Sequence, residues 1–112
     1  MTTITTHVLD TAAGRPAAGL EVRLERLEAG GDRPVASGQT DASGRVRTWS
    51  GEAEVGAGQY RLSFDTGAWS LAAGRPVFYP RVIIEFEVRE GESHYHMPLL
   101  LAPFSYTTYR GS

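Results

Sequence analysis

Three histidines hold the positions from which this sequence could do chemistry. His94 and His96 are two residues apart, so on a strand they share one face with Leu100. His7 falls on the opposite parity from Ile4 and Val8, which the apolar pattern assigns to the core, so His7 and His96 can share the outer face of one sheet. An imidazole with an ordinary pKa of about 6.5 is the natural general base near neutral pH. Periodicity alone also leaves a solvated or structural role open to each of them.

The His94-x-His96 spacing also lets two imidazoles reach one metal ion from a single strand. Cysteine is absent and His7 is the only further imidazole. Asp10 precedes Thr11-Ala-Ala-Gly14, where an Asx turn is expected. No metal and no cofactor are therefore expected. By residue type alone Arg45, which follows Gly44 in a turn, and Arg110 are solvated cations, and Ser105-Tyr-Thr-Thr-Tyr109 is an edge strand of high β-propensity. No Gly-x-Ser-x-Gly elbow is present, which argues against a serine triad. All 11 basic side chains are arginine, so Schiff-base chemistry and the lysine of a P-loop are excluded; the lack of cysteine excludes thiolate nucleophiles and disulfides.

The elements that must position these groups are strands. Ile4–Val8, Leu20–Leu24, Tyr60–Phe64 and Val82–Val88 alternate apolar with polar or charged residues, the pattern of strands with one buried face. Ala13-Gly14-Arg-Pro16, Ala29-Gly30-Gly31-Asp32, Asp41-Ala-Ser-Gly44, Gly56-Ala-Gly58 and Glu90-Gly91 supply turns between them. Short strands at such intervals predict an antiparallel sandwich or barrel. One helix is predicted over Thr66–Ala73, with Asp65 or Thr66 as N-cap and Gly74 with Pro76 ending it. His94–Leu101 and Pro103–Tyr109 are apolar on both faces, so one face should be covered by another subunit.

A chain of 112 residues has room for one hydrophobic core, so residues 1–112 are read as a single domain. With 41% apolar and 21% charged residues it has the composition of a folded globular protein. Its net charge of −2 is scattered, which disfavours nucleic acid and anionic membrane as partners. Met1–His7 lacks both the charged and the apolar stretch of a signal peptide, and the expected location is cytoplasmic.

Three segments together resemble one family. Thr5-Thr-His7-Val-Leu-Asp10-Thr, followed by Gly14-Arg-Pro-Ala17 and Gly19, is similar to the N-terminal signature of the 5-hydroxyisourate hydrolases, or transthyretin-related proteins. His94-Tyr-His96-Met-Pro-Leu-Leu-Leu-Ala-Pro-Phe-Ser-Tyr-Thr-Thr-Tyr-Arg-Gly-Ser112 is similar to their C-terminal signature, and its closing Tyr109-Arg110-Gly111-Ser112 is the element that true transthyretins lack. Thr40-Asp-Ala-Ser-Gly44-Arg45 and Phe78-Tyr-Pro80 extend the likeness over nearly the whole chain. Met97, Ala102 and Ser105 depart from the usual valine, serine and glycine.

The resemblance implies an all-β, transthyretin-like β-sandwich of two four-stranded sheets with one short helix, assembled as a homotetramer, a dimer of dimers, with a site at each end of a central channel. It implies hydrolysis of 5-hydroxyisourate to 2-oxo-4-hydroxy-4-carboxy-5-ureidoimidazoline in urate catabolism. Carried over by position, His7, Arg45, His96 and Ser112 would be catalytic. Either His7 or His96 would be the base, Arg45 would stabilise the oxyanion, and Ser112 would hold substrate or an imidazole. Tyr109, Arg110 and Gly111, with Thr107 and His94 in support, would bind substrate. The alternatives are a non-catalytic transthyretin-like carrier of a small ligand and an adhesive, immunoglobulin-like sandwich.

Overall fold

The alternation at the N-terminus is realised along the whole of strand β1 (Thr2–Asp10), in which every even-numbered residue is buried and every odd-numbered one is partly exposed. The residues described, 1–112 of a computed structural model, continue in order as β2 (Arg15–Pro16), β3 (Glu21–Leu27), β4 (Arg33–Gln39), β5 (Ser50–Gly51), β6 (Glu54–Val55), β7 (Gly58–Phe64), helix α1 (Thr66–Ala72), β8 (Val82–Val88), β9 (His94–Ala102) and β10 (Ser105–Thr108). One sheet runs β10-β9-β1-β2, with β6 also paired to β1; the other runs β5-β4-β3-β7-β8. In the first sheet β6 pairs with Thr2 and Thr3 and β2 with Leu9 and Asp10, so the two short strands occupy opposite ends of one edge and the sheet is four strands wide. The second consists of the four long strands β4, β3, β7 and β8, with two-residue β5 added outside β4. This is the expected sandwich of two four-stranded sheets.

One pairing departs from the all-antiparallel expectation. Strands β1 and β9 run parallel, from Thr3 opposite His94 to Asp10 opposite Leu101. They come from the two ends of the chain, so no hairpin dictates their direction and the intervening strands serve as the crossover. Strand β4 lacks the alternation that marks the others. Its Pro34 pairs with Glu25 where the β3–β4 register shifts, and a proline without an N–H is accommodated at such a bulge.

The inner faces meet in one cluster of 19 buried apolar residues, drawn from Ile4 through Leu101, with Tyr60 and Phe64 the largest of its fully buried side chains. Each fully buried aliphatic side chain contributes about 1.5–3 kcal/mol. In the C-terminal third the inner face is Tyr95, Met97, Leu99 and Leu101. Its outer face is mixed, His94 and His96 at one end and Leu100 and Ala102 at the other.

Helix α1 forms where predicted, but neither proposed cap acts as one. Asp65 sits at the N-cap position without a side-chain capping bond, and the Thr66 hydroxyl donates to the Tyr79 carbonyl at 2.7 Å instead. Just beyond the helix, Arg75 donates to the buried carboxylate of Asp10 at 2.7 Å and so ties this end of α1 to β1. No helix is long and apolar enough to cross a membrane.

Candidate active site

The β1–β9 register builds the floor of the site. Thr5 stands opposite His96 and His7 opposite Pro98, so Thr5, His7, His94 and His96 all lie on the outer face of one sheet, as alternation predicted for the imidazoles. The Thr5 hydroxyl lies between two of them, 2.7 Å from Nε2 of His94 and 2.8 Å from Nδ1 of His96.

The loop between β4 and β5 supplies the second wall, and Asp41 organises it. One carboxylate oxygen accepts from the Ser43 amide at 2.9 Å, the Ser43 hydroxyl at 2.6 Å and the Arg45 amide at 3.1 Å, while the other accepts from Nε of Arg47 at 2.7 Å. These bonds, that of the Ser43 hydroxyl foremost, hold the Asp41 carboxyl well below the usual carboxylate range.

The loop docks directly on β1. Val8 donates to the Gly44 carbonyl at 2.8 Å, and His7 and Arg45 form an antiparallel bridge. Gly44 has φ +80°, and a Cβ there would lie 2.4 Å from the Val8 carbonyl oxygen, so both conformation and space require glycine. Nε2 of His7 is 2.8 Å from the Ser43 carbonyl oxygen. A carbonyl can only accept, so this nitrogen carries a hydrogen and the lone pair of neutral His7 is on Nδ1.

The third wall is the C-terminal tail. The Gly111 amide donates to the His96 carbonyl at 2.7 Å, which lays the tail along β9. Arg110 fastens it, with its guanidinium 4.0 Å from the centre of the Tyr95 ring, 3.3 Å from the His94 carbonyl oxygen and 3.3 Å from the Glu92 carboxylate.

These walls enclose an open cleft of about 570 Å³. Of the residues singled out from sequence, Arg45, His94, His96 and Ser112 line it. His7 is beside it, bridged to Arg45, and Gly111 lies against the His96 ring. Thr107, on β10 opposite Leu100, and the exposed Tyr109 are outside the lining of the single chain, and Arg110 is engaged with Glu92 and Tyr95. Thr5, Thr6, Val46 and Arg47 complete the lining and were not anticipated; nor was the organising role of Asp41. The signal for Thr5 was present, since it shares the parity of His7.

Burial pushes the His96 imidazole below its ordinary value of 6.5, and the positive charges of Arg45, His94 and His7 push it the same way. At neutral pH His96 is therefore in its unprotonated form, able to accept a proton. Its Nε2 makes no hydrogen bond within the chain, whereas Nδ1 is held by Thr5. A proton acceptor, a guanidinium and a hydroxyl thus converge on one polar cleft, as activation of water against a carbonyl compound requires.

The model of the family described as HIUase/Transthyretin matches residues 4–111. The chain belongs to this family. Within it, the chain is similar to the 5-hydroxyisourate hydrolase of Caulobacter vibrioides, at 44% identity over the full length of both proteins. The solved structure of Klebsiella pneumoniae 5-hydroxyisourate hydrolase is also 44% identical, with TM-score 0.87 and complete coverage of both chains. Sea bream transthyretin in complex with thyroxine is 34% identical, with TM-score 0.88 over 96% of this chain and 93% of that one. Backbone similarity alone therefore does not separate the family's hydrolases from its carriers, and the side chains of the cleft must do so.

Proposed function

We propose that this chain is a 5-hydroxyisourate hydrolase. The observation that carries the reading is the meeting of Arg45, His94, His96 and Ser112, from three distant parts of the sequence, in one cleft where a single lining residue of eight is hydrophobic. A carrier of an aromatic ligand is better served by an apolar pocket with few polar groups.

In the reaction, Nε2 of His96 takes a proton from water as the oxygen attacks a ring amide carbonyl of 5-hydroxyisourate. The carbonyl oxygen gains negative charge opposite the guanidinium of Arg45, whose donors are fixed and permanently charged. Collapse of that adduct breaks the carbon–nitrogen bond and opens the six-membered ring, and the proton held on Nε2 of His96 passes to the departing nitrogen. The product is 2-oxo-4-hydroxy-4-carboxy-5-ureidoimidazoline. His7, with Nε2 committed to Ser43, keeps the lone pair of Nδ1 for orienting substrate. Ser112 positions substrate, Arg110 holds the tail in place, and no metal or cofactor takes part.

The single core supports reading residues 1–112 as one domain. The working form is a cytoplasmic homotetramer. Its support is the exposed aromatics Phe78, Phe104 and Tyr106, with Phe104 packed 5.7 Å from Phe78 and Tyr106 packed 5.0 Å from the partly buried Tyr79, together with the unpaired outer edges of β8 and β10. Tyr109 and Thr107, outside the cleft of one chain, are then free to meet substrate across a subunit boundary.

The test is direct. 5-Hydroxyisourate is generated in situ from urate, and its ultraviolet absorbance should decay faster with the protein than without it. His96→Ala and His7→Ala should lower turnover by a factor of about 10² to 10⁴, the usual cost of a lost acid–base group. Near-normal turnover in both removes the mechanism.

A further inference from the structure

One hydroxyl joins two imidazoles in this site. Thr5 Oγ1 lies 2.7 Å from Nε2 of His94 and 2.8 Å from Nδ1 of His96, while the two ring centres are 6.3 Å apart. The hydroxyl therefore links the two rings directly. Its side chain, on the half-buried face of β1, is among the cleft-lining residues.

A hydroxyl has one hydrogen to donate and lone pairs with which to accept. With both rings neutral, the two contacts are satisfied in two ways when the hydroxyl donates to a ring, and in a third when both rings donate to its oxygen. In one, His94 donates from Nε2 to Thr5 and Thr5 donates to Nδ1 of His96, which leaves the His96 hydrogen on Nε2. In the other, His96 donates from Nδ1 to Thr5 and Thr5 donates to Nε2 of His94, which leaves a lone pair on Nε2 of His96. Like donation by both rings, the second leaves Nε2 of His96 able to take a proton. It also survives the proton transfer, because an imidazolium formed at Nε2 still donates from Nδ1 to Thr5. A doubly protonated His94 must donate from Nε2, which leaves the first arrangement or donation by both rings.

We infer that Thr5 is a positioning residue whose hydroxyl holds His96 as the Nδ1–H tautomer, with Nε2 open toward water. The role is that of the group that orients the imidazole in a hydrolytic triad, here performed by a neutral hydroxyl with a second imidazole behind it. It rests on the reading of His96 as general base given above.

The experiment uses the full chain labelled with ¹⁵N-histidine. Two-bond ¹H–¹⁵N correlation spectra, with His96 assigned by His96→Asn, report which ring nitrogen carries the hydrogen, and turnover of 5-hydroxyisourate is measured on the same samples. The unsubstituted protein should show His96 with hydrogen on Nδ1. Thr5→Val, which keeps shape and β-propensity, should shift His96 toward the Nε2–H form and lower kcat by about tenfold or more with KM little changed, the usual scale for a lost orienting partner. Thr5→Ser should restore both. An Nε2–H tautomer in the unsubstituted protein, or a His96 signal unmoved by Thr5→Val, overturns the inference, as does a shifted tautomer with unchanged kcat. The loss of turnover in His96→Asn stands as the separate measure of the general-base reading.

Discussion

The backbone of Gly111 lies so close to the ring of His96 that a Cβ on the glycine would sit 2.6 Å from Cδ2 of the imidazole. The same pair shares the 2.7 Å hydrogen bond that lays the tail along β9, so the ring is confined from two directions, by the tail and by Thr5.

Gly111→Ala should therefore displace the imidazole without unfolding the sandwich. A displacement of about 1 Å at a reacting group costs on the order of a hundredfold in rate. Steady-state hydrolysis should show a fall of that size in kcat with an unchanged melting temperature; an unaffected kcat would mean that the tail yields instead of the ring.

The acid limb of activity should fall below pH 6.5, because burial and the nearby cations lower the His96 pKa and the base is lost only as pH drops through that lowered value. Arg45→Ala removes one of those cations. Its residual activity should be lower at every pH, and its acid limb should move upward. A pH–rate profile of kcat/KM measures both, and a limb that stays in place or moves down contradicts the electrostatic account.

Asp41→Ala should loosen the Arg45 loop, whereas Asp41→Asn keeps an oxygen for the Ser43 and Arg45 amides and should do less harm. We expect kcat/KM to fall about tenfold in the alanine variant, with the asparagine variant between it and the unsubstituted protein. The carboxyl is held well below its usual range, so the loop's hydrogen bonds are present above the ordinary carboxylate pKa and persist into acid.

Asp10 supplies a stability test. Burial pushes its carboxyl up, but the hydrogen bond and charge of Arg75 and the amides of Ala13 and Ala12 outweigh this and leave it lowered. The folded-state pKa is depressed, so the contribution is complete above the ordinary value of 3.8 and is lost as pH falls through the lowered one. Asp10→Asn should cost about 2 kcal/mol at neutral pH by urea denaturation, and the gap from the unsubstituted protein should narrow only as pH falls below the ordinary value of 3.8.

Much of this was legible in the residues because alternation is a strong code. The parity of Ile4, Val8 and His7 identified the core face and the functional face of β1, and the same counting placed His94 with His96. Strand β4 was illegible for a physical reason: Pro34, Ser37 and Gly38 break the apolar rhythm, and its place in the sheet is set by neighbours and a bulge. Gly38 in particular makes room for Val46, whose Cγ1 would lie 2.4 Å from a Cβ at that position. Asp41 and Thr5 escaped notice because their importance lies in hydrogen bonds made after folding: one binds a turn through its own side chain, and the other bridges residues about 90 positions away. Arg110 carried a motif but not its geometry, and only the fold reveals that its guanidinium turns to Tyr95 and Glu92.

The parallel union of β1 with β9 has a consequence for biosynthesis. Strand β1 must wait for β9 to be made, since Thr6 bonds to Met97, 91 residues later. Contacts of such long sequence separation form slowly, and until they do the β9-facing side of the N-terminal strand stays unsatisfied and open to mispairing. Translation that stops short of residue 94 would thus yield a chain with no partial catalyst in it, and the nascent protein should depend on shielding of β1 until β9 has been made.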